Sequence, residues 1–362
     1  MEKNDSPSIQ DIADKVGVSK ATVSRVLRGL PGHKEETREK ILSAARELGY
    51  ESHPILSALM SSVRFKKTSD YSPVIAEVHC QPWKKYLGDN MVSLKTNIHN
   101  QARKLGYRVE EYHWFDPEMN PNRLLNILWS RGIRGVILEY FLESKIDLTD
   151  LDFSPFAVVS IGGASIAPKF HKVEVDHYGN LIKSFNILKG YGYKRFGVII
   201  PKLFEKPTGF KRDAALYSVH NSIPKEDRIP MYRMDGVNNF DGVEEWIETY
   251  KPDCLLGVGE DIPAKIESFG YSIPNDIGYA HLGWHSSYRG MAGTNPHWGG
   301  VGIAAVNLVV DQLNRNEYGP PEHPLWVLVE GEWMNGESVR SPSLKQAPNS
   351  FHNSAQSRRQ LP

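Results

Sequence analysis

A chain of 362 residues, 40% of them apolar and 24% charged, has room for several domains and the composition of an ordinary globular protein. No apolar run reaches the roughly 18 residues of a membrane helix, and the first residues, MEKNDSPS, lack the basic region and apolar core of a secretion signal. A cytoplasmic protein without a membrane partner is expected. The formal net charge is zero, but residues 1–67 hold 12 Lys+Arg against 9 Asp+Glu, so a head of +3 precedes a body of −3. The two cysteines, Cys80 and Cys254, lie far apart with no second Cys or His at ligand spacing beside either. They read as reduced core residues, and neither a disulfide framework, a metal site nor a cofactor is expected.

Residues 8–48 carry helical periodicity only. Ser8 caps a first helix with Ile9, Ile12, Ala13 and Val16 on one face, and Gly17 stops it. Ser19 caps a second helix, KATVSRVL, with a Val23, Val26, Leu27 stripe. A third, about Glu35 to Leu48, is expected to bury Ile41, Leu42, Ala45 and Leu48 and to end at Gly49.

From about Tyr71 short apolar runs alternate with amphipathic segments. Strands are expected at 73–80, 107–114, 135–141, 156–162, 195–201, 254–260 and 278–284. Helices are expected between them, among them SLKTNIHNQARKLG, NRLLNILWSRG, YGNLIKSFNILKGYG and GGVGIAAVNLVVDQLNR. Such alternation predicts an α/β fold of parallel sheets with helices on both faces, and its length predicts two lobes. The tail 341–362 is polar and is expected to be disordered.

Chemistry concentrates in IQDIADKVGVSKATVSRVLRG, residues 9–29, where two short helices meet at a Gly-Val-Ser turn. A small Ala13 at the crossing, Gly17 in the turn, and Val18 and Val23 filling the little core suit a DNA-reading helix-turn-helix. A protein-interaction module on a two-lobed binding protein or enzyme is the alternative. Against an enzyme, no G-x-S-x-G, H-E-x-x-H, Walker loop or G-x-G-x-x-G after a strand is found. The acidic pairs Glu35-Glu36 and Glu110-Glu111 read as solvated faces.

The segment resembles the head of the LacI (lactose-repressor) family. Ile9, Asp11, Ile12, Ala13, Gly17, Val18, Ser19, Thr22, Val23, Ser24, Arg25, Val26 and Leu27 fit its pattern, as do Thr37, Arg38, Ala45, Leu48, Gly49 and Tyr50. The resemblance implies a helix-turn-helix head at 1–51, a hinge helix and linker at 52–70, and a periplasmic-binding-protein-like effector and dimerisation domain at 71–340. It further implies a homodimer on pseudo-palindromic operator DNA, acting as a repressor under a small-molecule effector of the carbohydrate class bound between two lobes.

Carried over by position, Lys20, Ala21 and Arg25 read base edges, while Ser19, Thr22, Ser24 and Arg28 serve the backbone contacts and helix start. In the hinge, Leu59, with Met60 beside it, takes the place of the leucine that wedges into the minor groove. The family's usual flank is altered there, with Ser52-His53 for Pro-Asn and Leu56-Ser57 for Ala-Arg. For the effector, Arg212 matches a binding arginine, with Lys206 and Thr208 just before it, and Asp176 in VEVDHYG matches the aspartate of V-x-x-D-x-x-x-G, with its glycine one residue early. Trp83, Tyr86, Tyr140 and Trp284 supply flat rings for a sugar face. The aspartate of sugar-binding members falls on Gly283, which puts a typical hexose clasp in question.

Overall fold

The computed structural model describes residues 7–27, 34–48, 50, 72–80, 88–114, 120–139, 145–162 and 165–340. The expected hinge at 52–70 and tail at 341–362 lie outside the described residues.

The head opens on a reciprocal cap. Ser8 Oγ accepts the Asp11 N–H and the Asp11 carboxylate accepts the Ser8 N–H at 2.6 Å, which satisfies two of the donors that the start of a helix leaves open. Helix α1 (Ile9–Val16) stops at Gly17, whose φ of 73° is reached without steric cost only by a residue lacking Cβ. Ser19 Oγ then accepts the Thr22 N–H at 3.1 Å to start α2 (Lys20–Leu27). With α3 (Glu35–Glu47) these helices enclose Ile12, Ala13, Val23, Val26, Ile41, Ala44 and Ala45. Leu42 and Leu48, expected in this core, are half-buried, because the inward stripe of α3 runs through Ile41, Ala44 and Ala45 while Leu42 lies beside it and Leu48 caps the end.

The chain divides into two compact units, the head counted within the first. One takes in the residues up to 176 together with 206–209 and 297–330, the other 177–205, 210–296 and the residues from 331. The first is a six-stranded sheet in the order β13-β7-β5-β3-β1-β2, parallel at every pairing. Its strands are β1 (Val74–His79), β2 (Arg108–His113), β3 (Gly135–Glu139), β5 (Ala157–Ile161), β7 (His171–Val175) and β13 (Trp326–Val329). A small pair, β4 (Lys145–Asp147) and β6 (Ser165–Ala167), stands apart from it.

Parallel strands need crossovers, and these cover both faces of the sheet. Helices α4 (Gly88–Lys104) and α11 (Trp298–Arg315) pack with Ile75, Ile137, Val159, Ile161, Val173 and Val175. Helix α5 (Pro121–Ser130) packs with Ala76, Val78, Val136, Leu138 and Val158 opposite. The α4–α11 contact is close at Gly302, where a Cβ would lie 2.7 Å from the Leu94 carbonyl oxygen. Trp298 is buried in this core.

The second unit repeats the plan in the order β14-β12-β11-β10-β8-β9, with β14 antiparallel and the other pairings parallel. Here β8 is Phe196–Pro201, β9 Tyr232–Met234, β10 Cys254–Gly257, β11 Gly278–His281, β12 Ala292–Asn295 and β14 Glu332–Met334. Its helices are α6 (His177–Gly190), α7 (Lys202–Glu205), α8 (Lys211–Asn221), α9 (Val243–Tyr250) and α10 (Ile262–Ser268). Cys254 is buried and Cys80 half-buried, both as free thiols. Among the described residues no helix is long and apolar enough to cross a membrane.

Candidate functional site

Helix α2 turns Val23 and Val26 inward and leaves Lys20 and Arg25 exposed. The Ser19 and Thr22 hydroxyls lie 2.9 Å apart, so both are engaged at the helix start, the side-chain cap the sequence assigned to Ser19. Ala21 and Ser24 belong to α2, but their side chains lie outside the described residues, as do Arg28, Leu59 and Met60. The helix that would enter a groove thus carries exposed cations on a face that the head's core does not use.

In parallel α/β sheets, ligands gather outside the carboxyl ends of the strands. Asp176 directly follows β7, with its N–H donating to the Val329 carbonyl at 2.9 Å. Lys206, exposed, and Thr208, buried, follow β8 and α7 in a short 3-10 turn. Trp284 comes three residues after β11, its Nε1–H donating to the Met291 carbonyl at 2.8 Å. Trp83, Tyr86 and Tyr140 lie outside the described residues. At Gly283 an added Cβ would meet only the His281 ring, at 3.4 Å, so an aspartate is absent there for no steric reason.

Arg212, at the start of α8, is buried and engaged. It donates from Nη1 to Glu205 Oε1 at 3.0 Å and from Nη2 to His177 Nδ1 at 2.9 Å. Because a guanidinium only donates, His177 accepts at Nδ1 and carries its proton on Nε2. Burial, reinforced by Arg212, holds the His177 imidazole well below its ordinary range. Burial pushes the Glu205 carboxyl up, against the pull of Arg212. Sequence spacing did not reveal these partners, since His177 lies 35 residues from Arg212.

A second polar cluster lies at the carboxyl end of the first sheet, under α4. Glu77 and His79 of β1, Glu139 of β3 and Glu111 of β2 face Lys95 and His99 of α4. Glu111 is exposed, as the reading of Glu110-Glu111 as a solvated face expects, and Glu110 is half-buried, but both are ion-paired. Glu111 bonds Lys95 at 2.7 Å and lies 3.4 Å from His79 Nε2, while Glu110 pairs with Arg131 at 2.7 Å, because α4 and α5 fold over the β2 end. Glu35 and Glu36 are exposed as expected. The overlooked signal was charge inside apolar runs: Glu77 and His79 in PVIAEVHC and Glu139 in GVILEYF belong to strands covered on both faces.

A head with an exposed second helix, followed by two parallel-sheet units, defines a DNA-binding regulator built on a small-molecule-binding fold. Residues 8–53 match the family model described as bacterial regulatory proteins, lacI family. The chain is 24% identical to catabolite control protein A of Priestia megaterium over 287 residues, which cover 75% of this chain and 80% of that protein. It is 23% identical to the HTH-type transcriptional repressor PurR of Klebsiella pneumoniae over 328 residues, 86% of this chain and 92% of that one. Among solved structures it resembles a lac repressor dimer bound to operator and an anti-inducer, with a TM-score of 0.54 at 15% identity, covering 92% of this chain and 99% of that one. It also resembles a complex of the transcriptional regulator CelR with cellobiose, with a TM-score of 0.53 at 17% identity and the same coverage. Residues 8–53 are thus a head of the lacI family, and the relatives that match along most of the chain are transcription regulators: the chain is a DNA-binding transcription regulator.

The buried Arg212–Glu205 pair gives a stability prediction. Arg212→Met strands a buried carboxylate and is expected to cost about 3 to 5 kcal/mol in urea unfolding; a loss within about 0.5 kcal/mol would show that the pair does not hold α8.

His281 gives a pH prediction. Burial, with His285 adding, holds its imidazole down from 6.5 to about 3, and Nδ1 accepts the Gly283 N–H at 2.9 Å. Below about 6.5 the unfolded chain takes up a proton that the folded chain refuses, so the stabilisation is full above 6.5 and is lost as pH falls towards 3. The melting temperature is expected to fall over that window and to fall less steeply in His281→Asn. An equal slope in the variant would assign the acid sensitivity elsewhere.

Proposed function

We propose that this regulator is a repressor that binds a pseudo-palindromic operator as a homodimer under the control of a small-molecule effector of the carbohydrate class. The observation that carries the reading is the exposure of Lys20 and Arg25 on a helix whose opposite face is locked into the head's core. A guanidinium so placed can donate two parallel hydrogen bonds to the guanine O6 and N7, while Ser19, Ala21, Thr22, Ser24 and Arg28 complete the surface that meets the duplex. A dimer follows from size: one three-helix head makes too few contacts to mark a unique genomic site, and two heads double them with a fixed spacing.

Leu59 is assigned as the wedge that unstacks the central step, with Met60 beside it. For the effector, Asp176, Lys206, Thr208, Arg212 and Trp284 follow strand ends, where such ligands bind, and Trp83, Tyr86 and Tyr140 are assigned with them. The repressor name of the Klebsiella relative and the cellobiose held by the CelR structure support the same class of regulation. Effector binding biases one of two domain arrangements and through the hinge changes affinity for DNA.

Arg25→Ala is expected to weaken operator binding by about 1 to 3 kcal/mol in fluorescence anisotropy and to relax one operator position, with nonspecific affinity changing less. Equal loss on every duplex would overturn the base-reading role. Leu59→Ala is expected to reduce operator bending in a circular-permutation gel assay, and unchanged bending would remove the wedge. Thermal-shift screening against sugars and sugar acids reports the effector, since a ligand of the folded state raises the melting temperature.

A further inference from the structure

The acid–imidazole cluster under α4 is absorbed by neither DNA reading nor effector binding. Three carboxylates, Glu77, Glu111 and Glu139, converge with two imidazoles and a single ammonium, Lys95. Glu77 and Glu139 are 0% and 1% exposed and bond each other, and Oε1 of each meets no N–H or hydroxyl donor among the described residues. A buried carboxylate oxygen without a donor is costly unless a proton or a cation meets it.

We propose that Glu77, His99 and Glu111 form a binding site for a divalent transition-metal ion, with His79 as the adjoining fourth donor and Glu139 as the residue that orients it. The ligand atoms of Glu77, His99 and Glu111 lie within 4.8 Å of one another. His99 Nε2 is 3.0 Å from Glu77 Oε2 and 3.8 Å from Glu111 Oε1, and His79 Nε2 is 3.4 Å from Glu111 Oε2. Donors held about 2.1 Å from one tetrahedral ion lie roughly 3.4 Å apart, so these spacings are edges of a coordination shell that small side-chain movements would complete. Glu139 Oε2 sits 2.7 Å from His79 Nδ1. A proton held there fixes the ring and leaves Nε2 as the ligating nitrogen, the carboxylate–histidine–metal arrangement found around bound zinc.

The charges favour an ion. Groups facing the site are Glu77 and His79 from β1, Glu111 and, stacked on His79, His113 from β2, Glu139 from β3, and Lys95 and His99 from α4. His99 and Glu111 are about a third exposed and give the ion a route in. Mixed imidazole and carboxylate donors without thiolate select zinc, manganese or iron(II) over magnesium or calcium. Lys95 competes for Glu111, so an arriving ion must displace its ammonium.

The test is calorimetric titration of the chelator-stripped full-length protein with Zn2+ and, separately, Mg2+, with cobalt(II) absorption as a second readout. One Zn2+ per chain is expected at the cluster, with Mg2+ at least tenfold weaker. His99→Ala and His99→Gln, both on a part-exposed helix position, are expected to weaken zinc at least tenfold and to change the cobalt spectrum. Lys95→Met is expected to tighten zinc several-fold, an effect that a metal bound elsewhere would not show. No saturable zinc binding, or zinc affinity equal in wild type and both His99 variants, would overturn the proposal and leave the cluster as a proton-holding network.

Discussion

An eight-residue helix does not hold its shape in water on its own hydrogen bonds, and α2 is such a helix. Its form is therefore set by packing: Val23 and Val26 are buried against Ile12, Ala13 and Ile41, and each aliphatic side chain taken fully from water contributes about 1.5 to 3 kcal/mol. Everything that makes the chain a regulator rests on that docking. The core fixes which side of α2 points away, and the outward side carries Lys20 and Arg25. The Ser8–Asp11 and Ser19–Thr22 caps and the left-handed Gly17 set the angle at which the helices meet.

The head was readable because its determinants are local. Caps, a turn glycine and i, i+3, i+4 stripes act within a few residues, and the structure places them as the periodicity implied. The central strands β1, β3, β5, β8, β10 and β11 were readable for a related reason: buried parallel strands are near-continuous apolar runs, whereas β2, also expected, is a half-exposed edge strand. The strands missed were β7, with lysine and glutamate among its five residues, and β4, β6, β9, β12, β13 and β14, which are three or four residues long. Pairing to distant neighbours, as β13 pairs with β7, makes these segments strands, and pairing leaves no periodic trace in so short a stretch.

Site chemistry was readable to the same degree. Ser19 and the exposed cations of α2 follow from helix geometry, whereas Arg212 looked like a ligand arginine and also proves to sit in a buried network with Glu205 and His177. Glu111 is as exposed as it looked, but nothing in sequence says that Lys95 and His79 meet it. In each case the deciding neighbour comes from another element. One lesson carries over to other chains: a charged residue inside an apolar run of a two-sided strand marks a buried polar cluster, as Glu77, His79 and Glu139 show together.

The central claim is that α2, presented by the head's core and doubled by dimerisation, reads a symmetric DNA site. In vitro selection of random duplexes on the purified chain tests it most directly. The account predicts enrichment of inverted repeats with a fixed spacing between half-sites. Recovery of unrelated duplexes, or of a single asymmetric half-site, would contradict it.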